Sequence, residues 1–138
     1  MGKLRILSMF FLVVGFAFVI TCGEKGEEQE ITLQFGEGYN FKDSLVDTNF
    51  LNVDFMYAFK SGDTVLIIES RSAMIDEGDI NLEDATPVPD TSITTNLEAV
   101  LNHVYAFKAW SISDTTNVAI KIISLSPDSL TFRYRLGF

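Results

Sequence analysis

The run SLTFRYRL near the end of the chain alternates apolar and polar residues without a break. Leu130, Phe132, Tyr134 and Leu136 share one side, and Thr131, Arg133 and Arg135 share the other. A repeat of two fits a β-strand with one buried and one wet face, and it does not fit a helix. The same repeat recurs from Ile31 onward. ITLQF puts Ile31, Leu33 and Phe35 on one face, and VDFMYAF does the same for Val53, Phe55, Tyr57 and Phe59, with Asp54, Met56 and Ala58 opposite. The turn signal SGD and the apolar run TVLIIES follow, so residues 53–69 read as a hairpin. HVYAFKAW, NVAIKIIS and SLTFRYRL, joined by SISDTT and SPDS, read as an antiparallel meander.

The middle of the chain is less regular. INLED reads as a short strand, and Pro87 and Pro89 force an extended passage that cannot lie in a central strand. NLEAVLN carries the one helical pattern, over a stretch too short to hold a helix alone. YAFK occurs at 57–60 and 105–108, but four shared residues do not establish a duplication. With turn signals every 8–12 residues and no long helix, the expected fold is all-β, a small antiparallel sandwich or partly closed barrel over residues 31–138.

The amino-terminal end has a different composition. MGKLR is basic and ILSMFFLVVGFAFVIT is an uncharged run of 16 residues, the layout of an export signal over residues 1–21. A permanent spanning helix wants about 20 apolar residues, so an uncleaved signal-anchor fits less well. The segment 22–30, with GEKGEEQE following Cys22, holds no large apolar residue and reads as a flexible acidic tether. From residue 22 onward, 8 basic groups stand against 19 acidic ones, a net of −11, which disfavours nucleic acid and bare anionic membrane surfaces as partners.

No small-x-small pair for an ordinary signal cut precedes Cys22, but Val19-Ile20-Thr21-Cys22 resembles the lipobox of bacterial lipoproteins. In such proteins the cysteine thiol is diacylated, with palmitate-like chains, and the chain is cut before it. The resemblance implies lipidation at Cys22 and a site in the cell envelope, on the outer membrane where the host has one. It departs from the pattern at Thr21, where Gly, Ala or Ser is usual. A single sulfur at the membrane face, in an exported chain otherwise free of thiols, suits that chemistry. A second resemblance spans about residues 39–136. YNFKDS, VDFMYAF, MIDEGDINLEDATPVPD, LNHVYAF, VAIKI and LTFRYRL occur in an order similar to a small exported bacterial β-domain, with Asn102 in place of its usual Gly. That likeness implies export and β structure and brings no functional residue with it.

Chemistry-bearing residues are sparse. His103 is the one histidine and Cys22 the one cysteine, so triads, bis-histidine haem and Cys/His zinc sites lack their partners. His103 reads as a residue at a strand start bonded to a neighbouring turn. DEGDINLED offers Asp76, Asp79, Glu83 and Asp84 as oxygen ligands for calcium, although EF-hand spacing is missing and a solvated acidic loop accounts for the same residues. No other cofactor is expected. Trp110, Tyr105, Phe107, Phe132 and Tyr134 fall on neighbouring strands, as core pairs or as a ligand groove. Three function classes follow. The first is a lipid-anchored, non-catalytic binding or scaffolding module for an envelope protein or glycan. The second is a small outer-membrane β-barrel ending in Phe138, and the third an envelope hydrolase whose site is not legible.

Overall fold

The computed structural model describes residues 29–59 and 66–138, and Cys22, the apolar leader and nearly all of the tether lie outside them. Among the described residues ten strands follow in order: β1 (Glu30–Gln34), β2 (Gly38–Asn40), β3 (Leu45–Asp47), β4 (Phe55–Phe59) and β5 (Leu66–Ser70), then β6 (Met74–Gly78), β7 (Asn96–Glu98), β8 (Val104–Lys108), β9 (Asn117–Leu125) and β10 (Ser129–Leu136). They make two five-stranded sheets, β1-β10-β9-β8-β6 and β3-β2-β4-β5-β7, with every described pairing antiparallel. The sheets are open and stack as a sandwich, so the described strands do not close into the barrel that was the alternative for Phe138.

The alternation seen in the sequence determines which side chains fill the space between the sheets. Phe55 and Tyr57 of β4 face Tyr105 and Phe107 of β8 and Leu130 and Phe132 of β10, all fully buried. Phe55 lies edge-on to Phe132 at 5.0 Å and to Phe107 at 5.5 Å between ring centroids. Such pairs add about 0.5–1.5 kcal/mol beyond the apolar area they bury. Tyr39 and Phe41 extend the cluster toward Tyr134. Two tyrosine hydroxyls stitch the sheets together. Tyr57 donates to the Ser126 carbonyl in the β9–β10 turn. Tyr105 donates to the Glu98 carbonyl at 2.6 Å and accepts from the Val100 amide at 2.9 Å.

Two stretches differ from the sequence reading. INLED is not a strand: Leu82–Asp84 form a 3-10 turn. The turn lies on the outer face of the β10-β9-β8 sheet, where Leu82 and Ala85 meet Val104 and Ala119, with Ile80 and Phe138 alongside. Small side chains on that face, Ala119 above all, leave room for this roof. The face expected to be wet is therefore partly covered, and Arg135 donates to the Glu83 carbonyl at 2.8 Å while lying over the Phe138 ring. NLEAVLN contains no helix, because Asn96–Glu98 pair with Ile67–Glu69 as edge strand β7. Strand β1 begins at Glu30, the last residue of the segment 22–30 read from the sequence as a tether, and Glu30 pairs with Arg133.

Two glycines are required by geometry. A Cβ on Gly38 would lie 2.4 Å from the Phe55 carbonyl oxygen and 2.5 Å from Val53 Cγ2. Gly78 has φ 81° where β6 shifts register between Asp76 and Gly78, a bulge that calls for a left-handed residue. Asn102 has φ 70°, and an Asn tolerates that region better than most residues.

Candidate functional site

The calcium candidates do not converge. Asp76 accepts from His103 Nδ1 through both oxygens, at 2.9 and 3.0 Å. Asp79 points instead toward Lys121, 3.8 Å away, and Glu83 and Asp84 are exposed on the 3-10 turn. Among the described residues no group of three or more His, Cys, Asp or Glu side chains could hold a metal. Glu77 bonds the Thr86 amide and hydroxyl, so the acidic loop is tied down as the roof described above. His103 sits at the start of β8, bonded to the carboxylate of a neighbouring strand. The aromatic groove divides in the same way. Tyr105, Phe107 and Phe132 are core, whereas Trp110 stands apart and is 39% exposed.

Trp110 belongs to a cleft of about 430 Å³ at one end of the sandwich. One wall is built from residues 40–52, a segment dense in Asn and Asp because these side chains close turns on their own backbone. Asn40 Oδ1 accepts from the Asp43 amide at 2.9 Å, bending the β2–β3 hairpin, while its Nδ2 donates to the Asn52 carbonyl at 2.8 Å. Asn49 caps the 3-10 turn Phe50–Asn52 by accepting from the Leu51 amide at 3.0 Å. Asp47 accepts from the Asn49 amide and from Asn52 Nδ2, and these bonds hold its carboxyl below the usual range, the Asn49 amide contributing most.

The second wall is the turn after β8, where the Ile112 and Ser113 amides return to the Ala109 carbonyl. Trp110 and Ser111 project from this turn into the cleft. Asp54 fastens the two walls together. It is fully buried, and its Oδ1 accepts from the Ser111 amide at 2.9 Å. Its Oδ2 accepts from the Ser111 hydroxyl at 2.5 Å and from the Phe41 amide at 2.9 Å. Arg71 makes a second tie, with its guanidinium 3.5 Å from the Trp110 ring centroid and an N–H donated to the Leu51 carbonyl.

With the scaffold groups occupied in this way, two charged side chains on the cleft remain unengaged. Among the described residues the Lys42 ammonium and the Asp43 carboxylate enter no hydrogen bond or ion pair. Leu45 and Leu51, 60% and 67% exposed, form an apolar rim beside Trp110. The cleft thus offers one free donor, one free acceptor and an apolar surface, on walls held in place from below. Periodicity could not show this, because Asp54 lies on the polar side of an alternating strand and reads there as solvated. The one usable signal was the run of turn-forming Asn and Asp between 40 and 52. In comparisons with protein-family models, curated proteins and solved structures, nothing matches this chain.

Proposed function

We propose that this protein is a non-catalytic binding module of the bacterial cell envelope, held to a membrane by acyl chains on Cys22. The single observation that favours binding is the Trp110 cleft, whose walls are joined by buried Asp54 and whose Lys42 and Asp43 side chains have no partner among the described residues. Pre-organised walls reduce the ordering cost of capturing a ligand, which is how a small rigid domain achieves useful affinity. His103, the one imidazole, is bonded to Asp76 and does not line the cleft, so the groups gathered there suit recognition better than proton transfer. Anchoring rests on the sequence, in which the lone thiol follows an apolar run and precedes a charged, glycine-containing segment. Two or three acyl chains, each methylene contributing about 0.8 kcal/mol, make such an anchor stable.

Mass spectrometry of the mature amino terminus after expression in a bacterial host tests the anchor. The expected result is an acylated Cys22 in the natural chain and an unprocessed precursor for Cys22→Ala. An intact Met1, or a cut elsewhere with an unmodified thiol, would refute lipid anchoring.

A further inference from the structure

We propose that the cleft binds a neutral glycan, with the C–H face of a sugar ring against Trp110 and hydroxyls between Lys42 and Asp43. The proposal rests on reading the cleft as the ligand site and is independent of the lipid anchor. The free groups are the first argument. Lys42 can only donate and Asp43, as a carboxylate, can only accept. A hydroxyl does both, so a polyol answers each side chain without carrying charge of its own.

Charge narrows the choice further. A phosphate or sulfate entering the cleft would approach the carboxylates of Asp43 and Asp47. A cation, although drawn by Asp43, Asp47 and the acidic body, would also meet Lys42, with Arg71 behind the indole. The body of the chain, 8 basic against 19 acidic groups from residue 22 onward, repels a polyanion over longer distances. A neutral ligand is the class that none of these fields opposes.

Shape favours a sugar over a peptide. Leu45, Leu51 and Trp110 give an open apolar rim rather than a deep pocket for a side chain, and such a rim matches the flat C–H face of a pyranose. A peptide binding by strand addition would have to pair with edge strand β3, which is three residues long and so offers little main chain to pair with. The volume, about 430 Å³, is that of a small-ligand site. Arg71 holds the indole in place before any ligand arrives, so the platform is ready-made.

Trp110 is the one tryptophan in the chain, so tryptophan emission, excited selectively over tyrosine, reports on this cleft and nowhere else. The full chain, in a detergent with a polyoxyethylene headgroup so that no sugar competes, is titrated with soluble oligomers of glucose, mannose, galactose and N-acetylglucosamine. At least one series is expected to shift the Trp110 emission saturably. Asp43→Ala and Lys42→Met, both exposed and so harmless to folding, are expected to weaken that series about tenfold each by calorimetry, with unchanged melting. Two results would overturn the proposal. If a peptide library or a sulfated polysaccharide shifts the emission and no neutral oligomer does, the cleft is a ligand site for another class. If nothing alters the emission, the reading of the cleft as a ligand site falls with it.

Discussion

Replacing Asp54 by Asn tests whether one buried carboxylate assembles the cleft. The substitution barely alters shape, but an amide can accept at only one of the two positions the carboxylate uses. With its oxygen toward the Ser111 amide, the new NH₂ group faces the Phe41 N–H; flipped, it faces the Ser111 N–H. The Ser111 hydroxyl can rotate to accept, so one backbone donor is stranded in either arrangement. A stranded buried donor costs about 1–3 kcal/mol, and the surviving bonds weaken by about 1 kcal/mol each once the charge is gone. Relief from burying a charge offsets part of this, leaving a net loss of about 2–3 kcal/mol. For a domain of this size that lowers Tm by roughly 10 °C. Urea unfolding followed by far-ultraviolet circular dichroism gives the free energy. The Trp110 emission of the folded variant should move to the red as the Ser111 turn loosens. A loss under about 0.5 kcal/mol with unchanged emission would refute the assignment of Asp54 as the tie between the walls.

Two further tests address the scaffold. Gly38→Ala puts a methyl against the Phe55 carbonyl and Val53, and should destabilise the fold by about 1–3 kcal/mol in the same unfolding assay; an unchanged midpoint would show that β2 can move aside. Alkaline pH probes the tyrosines that the fold removes from water. Burial is the main cause that raises the pKa of Tyr57, Tyr105 and Tyr134 above the usual phenol value. Above about pH 10 the unfolded chain therefore releases protons that the folded chain keeps, and stability should fall as pH rises, by up to about 1.4 kcal/mol per pH unit for each such group. Unfolding midpoints at pH 9 and 11 check the sign, and Tyr105→Phe should flatten the slope.

The strands that were legible in advance are the ones with enough length to show a period. β4, β8, β9 and β10 run five to nine residues and bury large apolar groups at every second position. Strands β2, β3 and β7 have three residues each, too few for alternation, and are held by neighbours remote in sequence. β7 looked faintly helical because Leu97 and Leu101 are four apart, but pairing with β5 overrides so weak a preference. The roof over Ala119 was hidden for another reason. Its acidic residues look solvated one by one, and only the fold shows Asp76 bonded to His103 and Glu77 bonded to Thr86. The cleft was invisible as a unit because Lys42 and Trp110 are far apart in the chain, brought together by Asp54, whose place on an alternating strand suggests a surface residue.

The direction in which β1 enters its sheet bears on where such a cleft could work. Glu30 lies opposite Arg133 and Gln34 opposite Ser129, so the chain arrives from the end where β10 stops and β9 begins. That is also the end carrying the turn with Trp110 and Ser111, since Lys108 pairs with Asn117. A membrane held through Cys22 would then lie on the cleft's own side. The eight residues 22–29 could span at most about 29 Å even when drawn straight. Such a leash would let the domain sample only the layer next to its own lipid. Lengthening it with Gly and Ser would leave solution affinity untouched and change which surface the cleft patrols.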